Sequence, residues 1–288
     1  MADRPAPEVR VDEGLVRRLL QSQHPDLASQ PLRLLDRGWD NTNFRLGDDL
    51  IVRLPHREAA AELIANEQRW LPELAPRLPI PIPAPVRTGH RQDGYPWSWS
   101  ITPWFPGDVA ARAPLVEPTA DAARLGEFFA ALHQPGPADA PTNPYRGHPV
   151  DGLRRRFFDN LAKLDASIDS AALATVFETA CDASASSERR WLHGDLHTRN
   201  MIVADGRLAA VIDWGDLCAG DPACDLAGAL MLVPDQLDVV ATTAGAPEPT
   251  WQRARGWAAH FAVLYLLFGD DDPVMADIGR NLVNALLA

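Results

Sequence analysis

Cysteine is scarce in this chain, with only Cys181, Cys218 and Cys224 among 288 residues. They form no C-x-x-C pair and are odd in number. A disulfide framework or a zinc site is not expected, and a reducing cytoplasm fits best. Long apolar runs are also missing. The longest, WAAHFAVLYLLF at 257–268, is interrupted by His260 and is too short to span a bilayer, so it reads as a buried helix. No membrane partner is expected. The first twenty residues hold no apolar stretch of the secretory type, which again leads to a cytoplasmic expectation. Positive charge is in deficit: 27 Lys and Arg face 39 Asp and Glu, a formal net charge of −12. A nucleic-acid partner is not expected, because phosphate binding wants a basic surface. Acidity is a common solubility device, and it also attracts cationic small molecules.

What is present is ordinary in bulk. Hydrophobic residues make up 46% and charged residues 23%, the balance of a soluble globular protein with a real core. The length allows one large or two medium domains. Leu15, Val16, Leu19 and Leu20 repeat at helical spacing within 10–22. Three strands follow, around Leu32–Leu35, Asn43–Leu46 and Leu50–Leu54, with turns at Asp36–Thr42 and Gly47–Asp49. A helix rich in Ala, Glu and Leu is expected over 58–74. The proline-dense segment RLPIPIPAPV (77–86) reads as an extended connection, and YPWSWSITPWF (95–105) as β-prone. Beyond Pro106-Gly107 helices are expected at 119–133, 150–165, 171–185, 222–232, 250–268 and 273–287. Residues 241–249 read as a loop. The chain therefore divides into a strand-rich part, 1–104, and a helical part, 105–288, with an α+β composition overall.

The chemistry concentrates in WLHGDLHTRNMIV (191–203) and VIDWGD (211–216). Met201–Val203 and Leu208–Ile212 are short apolar runs separated by Asp205-Gly206, a strong hairpin signal because both central positions of a type I′ turn need positive φ. The hairpin brings Asn200, before its first strand, beside Asp213, after its second. Asp195 lies on the loop that feeds it. Two carboxylates and a carboxamide at one sheet end suit phosphoryl transfer, which depends on positioning and on neutralising phosphate charge. Asp213 and Asn200 offer hard oxygen ligands for Mg²⁺, and Asp195 is left to accept a hydroxyl proton. A zinc site from His193 and His197 is disfavoured, because Gly194 and the strand context exclude a common helix face.

HGDLHTRN resembles the catalytic loop of the aminoglycoside phosphotransferase family, relatives of the protein kinases. IDWGD and GDPACDLA (220–227) resemble two further segments of that family. The resemblance implies a two-lobed, protein-kinase-like fold with an antiparallel-sheet N-lobe and a mostly helical C-lobe. It implies ATP and Mg²⁺ as cofactors, Asp195 as catalytic base, and Asn200 and Asp213 as metal ligands. His193 is implied to buttress the loop and Asp225 to pin it.

A kinase-like small lobe also needs a phosphate-covering loop, a basic residue on its third strand and a glutamate on the next helix. Gly38 and Asn43, in GWDNTNF, are the loop candidates through their backbone amides. Arg53 stands where the family commonly has Lys. It either forks onto phosphates and Glu67 or faces solvent at a strand end. In ITPWFPG, Pro103 keeps a carbonyl and Phe105 an N–H for adenine. The family implies a small-molecule hydroxyl acceptor, most readily an aminoglycoside or similar antibiotic. A sugar or amino alcohol, or nucleotide binding without transfer, are the alternatives. Acceptor-pocket candidates are Asp216, Trp251, Trp257, His260, Tyr265 and Asp270, although the run 270–272 reads equally as the start of the last helix. A monomer or homodimer is expected.

Overall fold

The computed structural model describes residues 6–92, 94–185, 188–269 and 272–288. Two compact units emerge. One holds the described residues through Arg77 together with Pro81–Pro106, and the other holds Leu78–Ile80 and the described residues of Gly107–Ala288.

The first unit opens with helix α1 (Glu13–Gln23), started by the Asp12 carboxylate, which accepts from the Leu15 amide at 2.9 Å. A side-chain cap of this kind satisfies an amide that the helix itself leaves open. Strands β1 (Leu32–Arg37), β2 (Asn41–Leu46) and β3 (Leu50–Pro55) follow, then helix α2 (Glu58–Leu74), and then β4 (Arg87–Gly89) and β5 (Trp99–Pro103). The five strands form one antiparallel sheet in the order β1-β2-β3-β5-β4. Leu15, Val16, Leu19 and Leu20 of α1 join Phe44, Val52, Leu54, Trp99 and Ile101 in its core.

The expected turn at Asp36–Thr42 is shorter in the structure. Arg37 pairs with Thr42 and Asp36 with Asn43, so only residues 38–40 turn. The ladder extends through turn-prone residues because it satisfies their backbone groups, and Asn43 Nδ2 donates to Asp36 Oδ1 at 2.7 Å across it.

The second unit is mostly helical, with α3 (Pro118–Leu132), α4 (Arg154–Leu161), α5 (Ser170–Cys181), α6 (Ala223–Leu232), α7 (Leu237–Ala244), α8 (Glu248–Leu267) and α9 (Pro273–Leu287). Strands β6 (Asp108–Val109), β8 (Met201–Ala204) and β9 (Arg207–Val211) form one small sheet, and β7 (Arg190–Leu192) pairs with β10 (Cys218–Gly220). Three expectations change. The helix expected at 150–165 is a 3₁₀ turn followed by α4 and ends at Leu161, and the one expected to reach 185 ends at Cys181. Part of the expected loop at 241–249 is helical. α7 runs to Ala244, closed by Gly245 at φ +64°, and α8 begins at Glu248 with Pro249 in its first turn. Proline is tolerated there because the first-turn amide has no helical partner to lose. No described helix is long and apolar enough to cross a membrane.

The hairpin β8–β9 turns at Asp205 (φ +50°) and Gly206 (φ +72°), both in the left-handed region that its turn type requires.

Candidate active site

β7 delivers the chain to His193, and the next four residues are fastened from two directions. From α6, the fully buried Asp225 accepts the His193 amide on Oδ2 at 2.8 Å and the Gly194 amide on Oδ1 at 2.9 Å. His133, from the end of α3, donates to the same Oδ2 at 3.3 Å. From the hairpin, the His193 ring donates through Nε2 to the Ile212 carbonyl at 2.9 Å. Its Nδ1 accepts the Asp195 amide at 3.2 Å. These two bonds select one neutral tautomer and orient the loop. Gly194 sits at φ +89°, and a Cβ there would lie 2.4 Å from the Asp216 carbonyl oxygen, so only glycine fits.

Asn200 joins the same construction. Its Nδ2 donates to the Asp195 carbonyl at 2.9 Å, and its own carbonyl accepts the Ile212 amide at 2.8 Å. Asp213 follows Ile212 directly and is held at φ +62°. A left-handed aspartate costs on the order of 1–2 kcal/mol, which the surrounding bonds must offset. Such strain is typical where a side chain has to be aimed. The structure thus brings Asp195, Asn200 and Asp213 together at the base of the hairpin.

The surroundings of Asp195 contain a group that local sequence reading missed. Arg146 donates from Nη2 to Asp195 Oδ1 at 2.7 Å, and His197 Nε2 stands 3.4 Å from Oδ2. Burial would raise the Asp195 carboxyl, but His197, Arg146 and His193 outweigh it and hold the group well below the usual carboxylate range. It is therefore ionised at neutral pH. Arg146 also lies 3.7 Å from Asp216 Oδ2, and its guanidinium sits over the Phe261 ring at 5.3 Å. Nothing local to PYRG marks Arg146, because its partner lies 49 positions away.

The acceptor candidates are placed unevenly. Asp216 receives Asn143 Nδ2 at 2.6 Å. Burial and the Asp195 charge push its carboxyl up, while Arg146 and Asn143 pull against them. Trp251, Trp257 and His260 are buried in α8, so neither tryptophan presents an exposed ring face. Tyr265 stacks on Phe261 at 5.8 Å, with its ring edge-on to His197 at 6.1 Å. Asp270 lies outside the described residues.

In the sheet unit, Arg53 on β3 donates from Nη2 to Glu67 Oε1 on α2 at 3.1 Å, with side-chain exposures of 11% and 1%. Arg53 is therefore a buried, paired cation and does not face solvent. The Gly38 amide donates to the Asn41 carbonyl at 2.8 Å and closes the β1–β2 hairpin. Pro103 ends β5, Trp104 lies under the Arg45 guanidinium at 4.0 Å, and Phe105 follows with partial burial.

As for cations, no group of three or more His, Cys, Asp or Glu suited to a metal occurs among the described residues. Mg²⁺ needs no such cage. It takes one or two protein oxygens and fills its octahedron with phosphate oxygens and water, which the pair Asn200 and Asp213 suits.

One unit carries a strained aspartate, an asparagine and a buttressed aspartate at a hairpin base, and the other an antiparallel sheet with a buried Arg–Glu pair, the parts of a kinase-like fold. The chain belongs to the phosphotransferase enzyme family, whose model matches residues 31–257. It is accordingly a phosphotransferase with an alcohol group as acceptor. Its fold is that of solved structures with low sequence identity. The GDP and kanamycin complex of APH(2″)-IIia is 20% identical, with 94% of this chain and 98% of that chain covered at a TM-score of 0.69. The streptomycin–ATP–APH(2″)-IIa ternary complex is 20% identical, with 94% and 95% covered at 0.60. Macrolide 2′-phosphotransferase MphH from Brachybacterium faecium is 24% identical, with 94% and 97% covered at 0.59. Comparison with curated protein sequences gave no match.

Proposed function

We propose that this protein transfers the γ-phosphate of ATP to a hydroxyl of a small molecule in a Mg²⁺-dependent reaction. The observation that carries this reading is the joint fastening of Asp195 and Asn200 by His193, Ile212 and Asp225, with the left-handed Asp213 directly after Ile212. Asp195 receives and orients the acceptor hydroxyl. As the hydroxyl oxygen bonds to the γ-phosphorus, the bond to the β-phosphate oxygen breaks, ADP leaves, and the hydroxyl proton passes to Asp195. A carboxylate held so far below its usual range is a weak base. Its work is mainly orientation, with the proton accepted late, as suits a loose transition state. Asn200 and Asp213 would hold Mg²⁺, which would supply charge neutralisation on the phosphate oxygens.

The sheet unit is assigned to nucleotide. Arg53, held by Glu67, contacts phosphate, and Pro103 O and Phe105 N take adenine. Gly38 and Asn43 belong to the loop over the phosphates. Residues 1–104 form the nucleotide lobe and 105–288 the catalytic and acceptor lobe of a cytoplasmic monomer or homodimer. The resemblance points first to an aminoglycoside or similar antibiotic as acceptor, which would make the role resistance. A sugar or amino alcohol is the second reading; the engagement of Asp216 with Asn143 and Arg146 favours the uncharged sugar of the two.

Two experiments test the assignment. Asp213→Ala is expected to abolish the Mg²⁺ dependence of ATP affinity, and Asn200→Ala to weaken it less, because Asp213 carries charge and Asn200 a single neutral oxygen. Calorimetric ATP titrations with and without Mg²⁺ check this. A normal Mg²⁺ response in Asp213→Ala overturns the ligand assignment. For the phosphate contact, Arg53→Ala should raise the Michaelis constant for ATP and lower turnover, with Glu67→Ala milder and the double variant less than additive. Arg53→Lys keeps the charge but not the fork, so it too should lose activity. Unchanged ATP kinetics across these four proteins would remove Arg53 from the site.

A further inference from the structure

The turn between β1 and β2 is closed by the Gly38 amide on the Asn41 carbonyl, yet a residue outside it ties it down again. His56 directly follows β3 and is only 6% exposed. Its amide donates to the Asp40 carbonyl at 3.0 Å. Its ring donates through Nε2 to the Trp39 carbonyl at 3.1 Å, and Nδ1 meets the Thr42 hydroxyl at 3.2 Å. A carbonyl only accepts, so Nε2 carries the hydrogen. His56 is held from behind in turn, because its own carbonyl accepts the Glu8 and Val9 amides at 2.8 and 3.2 Å. Arg57, the next residue, donates from Nη1 to Asp40 Oδ1 at 2.9 Å.

These bonds sort the polar groups of the turn. The carbonyls of Trp39, Asp40 and Asn41 all accept hydrogen bonds, the first two from His56 and the third from Gly38. The amides of Trp39 and Asp40 meet no acceptor among the described residues. A trans peptide sets its carbonyl and the following N–H on opposite sides, and no described peptide bond is cis. Fixing the Trp39 carbonyl on His56 therefore directs the Asp40 amide away from His56. A turn that is to meet a phosphate needs this arrangement, with carbonyls withdrawn and amides free. The carboxylate of Asp40, an anion within the turn itself, is paired with Arg57 and so repels a phosphate less.

We propose that His56 is a positioning residue for nucleotide, holding the turn 38–40 ready to offer its amides to the phosphates of ATP. The turn then does not have to be ordered when ATP arrives, because folding has already met that conformational cost. His56 acts through the backbone of Trp39 and Asp40 and need not touch the phosphates itself. The inference rests on the reading of Gly38 and Asn43 as part of the loop over the phosphates. It goes further by naming the residue that sets the conformation of that loop.

The test compares Mg²⁺-ATP, Mg²⁺-ADP and adenosine as ligands of the wild-type protein, His56→Ala, His56→Gln and His56→Asn by calorimetry. In His56→Ala the Kd for ATP and for ADP is expected to rise about tenfold, the scale of ordering a short turn on binding. The Kd for adenosine, which carries no phosphate, should stay close to the wild-type value. An equal loss for adenosine marks a general loosening of the sheet unit and overturns the proposal, as does an unchanged Kd for ATP. His56→Gln can extend an N–H to the Trp39 carbonyl and should keep most of the ATP affinity. The shorter His56→Asn should behave like His56→Ala. If the Gln and Asn variants bind ATP equally well, the Nε2 contact is not the operative one and the proposal fails. That pair also decides the matter if His56→Ala does not fold. The loop reading has its own readout in hydrogen–deuterium exchange of the wild-type protein, where segment 37–42 should be protected more by ATP than by adenosine. ATP that does not bind, or binds without protecting that segment, overturns the loop reading and this proposal with it. Protection together with unchanged ATP affinity in the His56 variants overturns this proposal alone.

Discussion

Replacing Asp195 by asparagine is expected to lower turnover by about 10²–10⁴-fold, the usual scale for loss of a general base. The fold should survive, because the loop is fastened through the amides of His193, Gly194 and Asp195 and through the Asp195 carbonyl, none of which the substitution removes. Nucleotide affinity should survive for the same reason, since Asn200 keeps its bonds to the Asp195 carbonyl and the Ile212 amide and Asp213 is untouched. What disappears is the negative charge between Arg146 and His197. The asparagine amide cannot accept the hydroxyl proton, and it can turn a donor toward the Arg146 guanidinium. Single-turnover kinetics with saturating Mg²⁺-ATP would isolate the chemical step. A rate within threefold of the wild type would show that Asp195 is not the group receiving the acceptor hydroxyl.

A loss of about 3–5 kcal/mol in stability is expected for Asp225→Ala, the range for breaking a buried charged network by deleting one partner. The carboxylate is fully buried and accepts two backbone amides and the His133 imidazole, so its removal strands three donors at once. For a protein of this size that corresponds to a fall in Tm on the order of 6–20 °C. Asp225→Asn should cost less, because one oxygen remains to accept one of the two amides. Turnover should fall in both variants even at temperatures where they are folded, since the loop carrying Asp195 loses its anchor. Thermal denaturation followed by circular dichroism measures the first effect. A Tm within 2 °C of the wild type in Asp225→Ala would contradict the anchoring role.

The local part of the site was legible in the residues themselves. Asp205-Gly206 dictates a tight hairpin because both positions need positive φ, and that hairpin alone places Asn200 against Ile212 and brings Asp213 beside it. The spacing from Asp195 to Asn200 is short enough for one loop to supply both groups. Arg53 and Glu67 were readable for a similar reason: a strand and the helix directly following it bring those two positions together, here at 3.1 Å. Other features had no local signature. Arg146 sits in an irregular segment, and only the packing of that segment onto α8 places its guanidinium on Asp195 and over Phe261. α7 was hidden because Val239, Val240, Thr242 and Thr243 are weak helix formers. The helix is sustained by tertiary burial of Val240 and by close packing on α3, where a Cβ on Gly126 would lie 2.7 Å from Thr243. Trp257 and His260 were acceptor candidates within a run that also read as a buried helix, and the structure places both in the core. Sequence by itself determined which groups could perform phosphoryl transfer, because that chemistry rests on residues a few positions apart. Tertiary structure alone decided which cation meets the base, because that contact joins segments 49 positions apart.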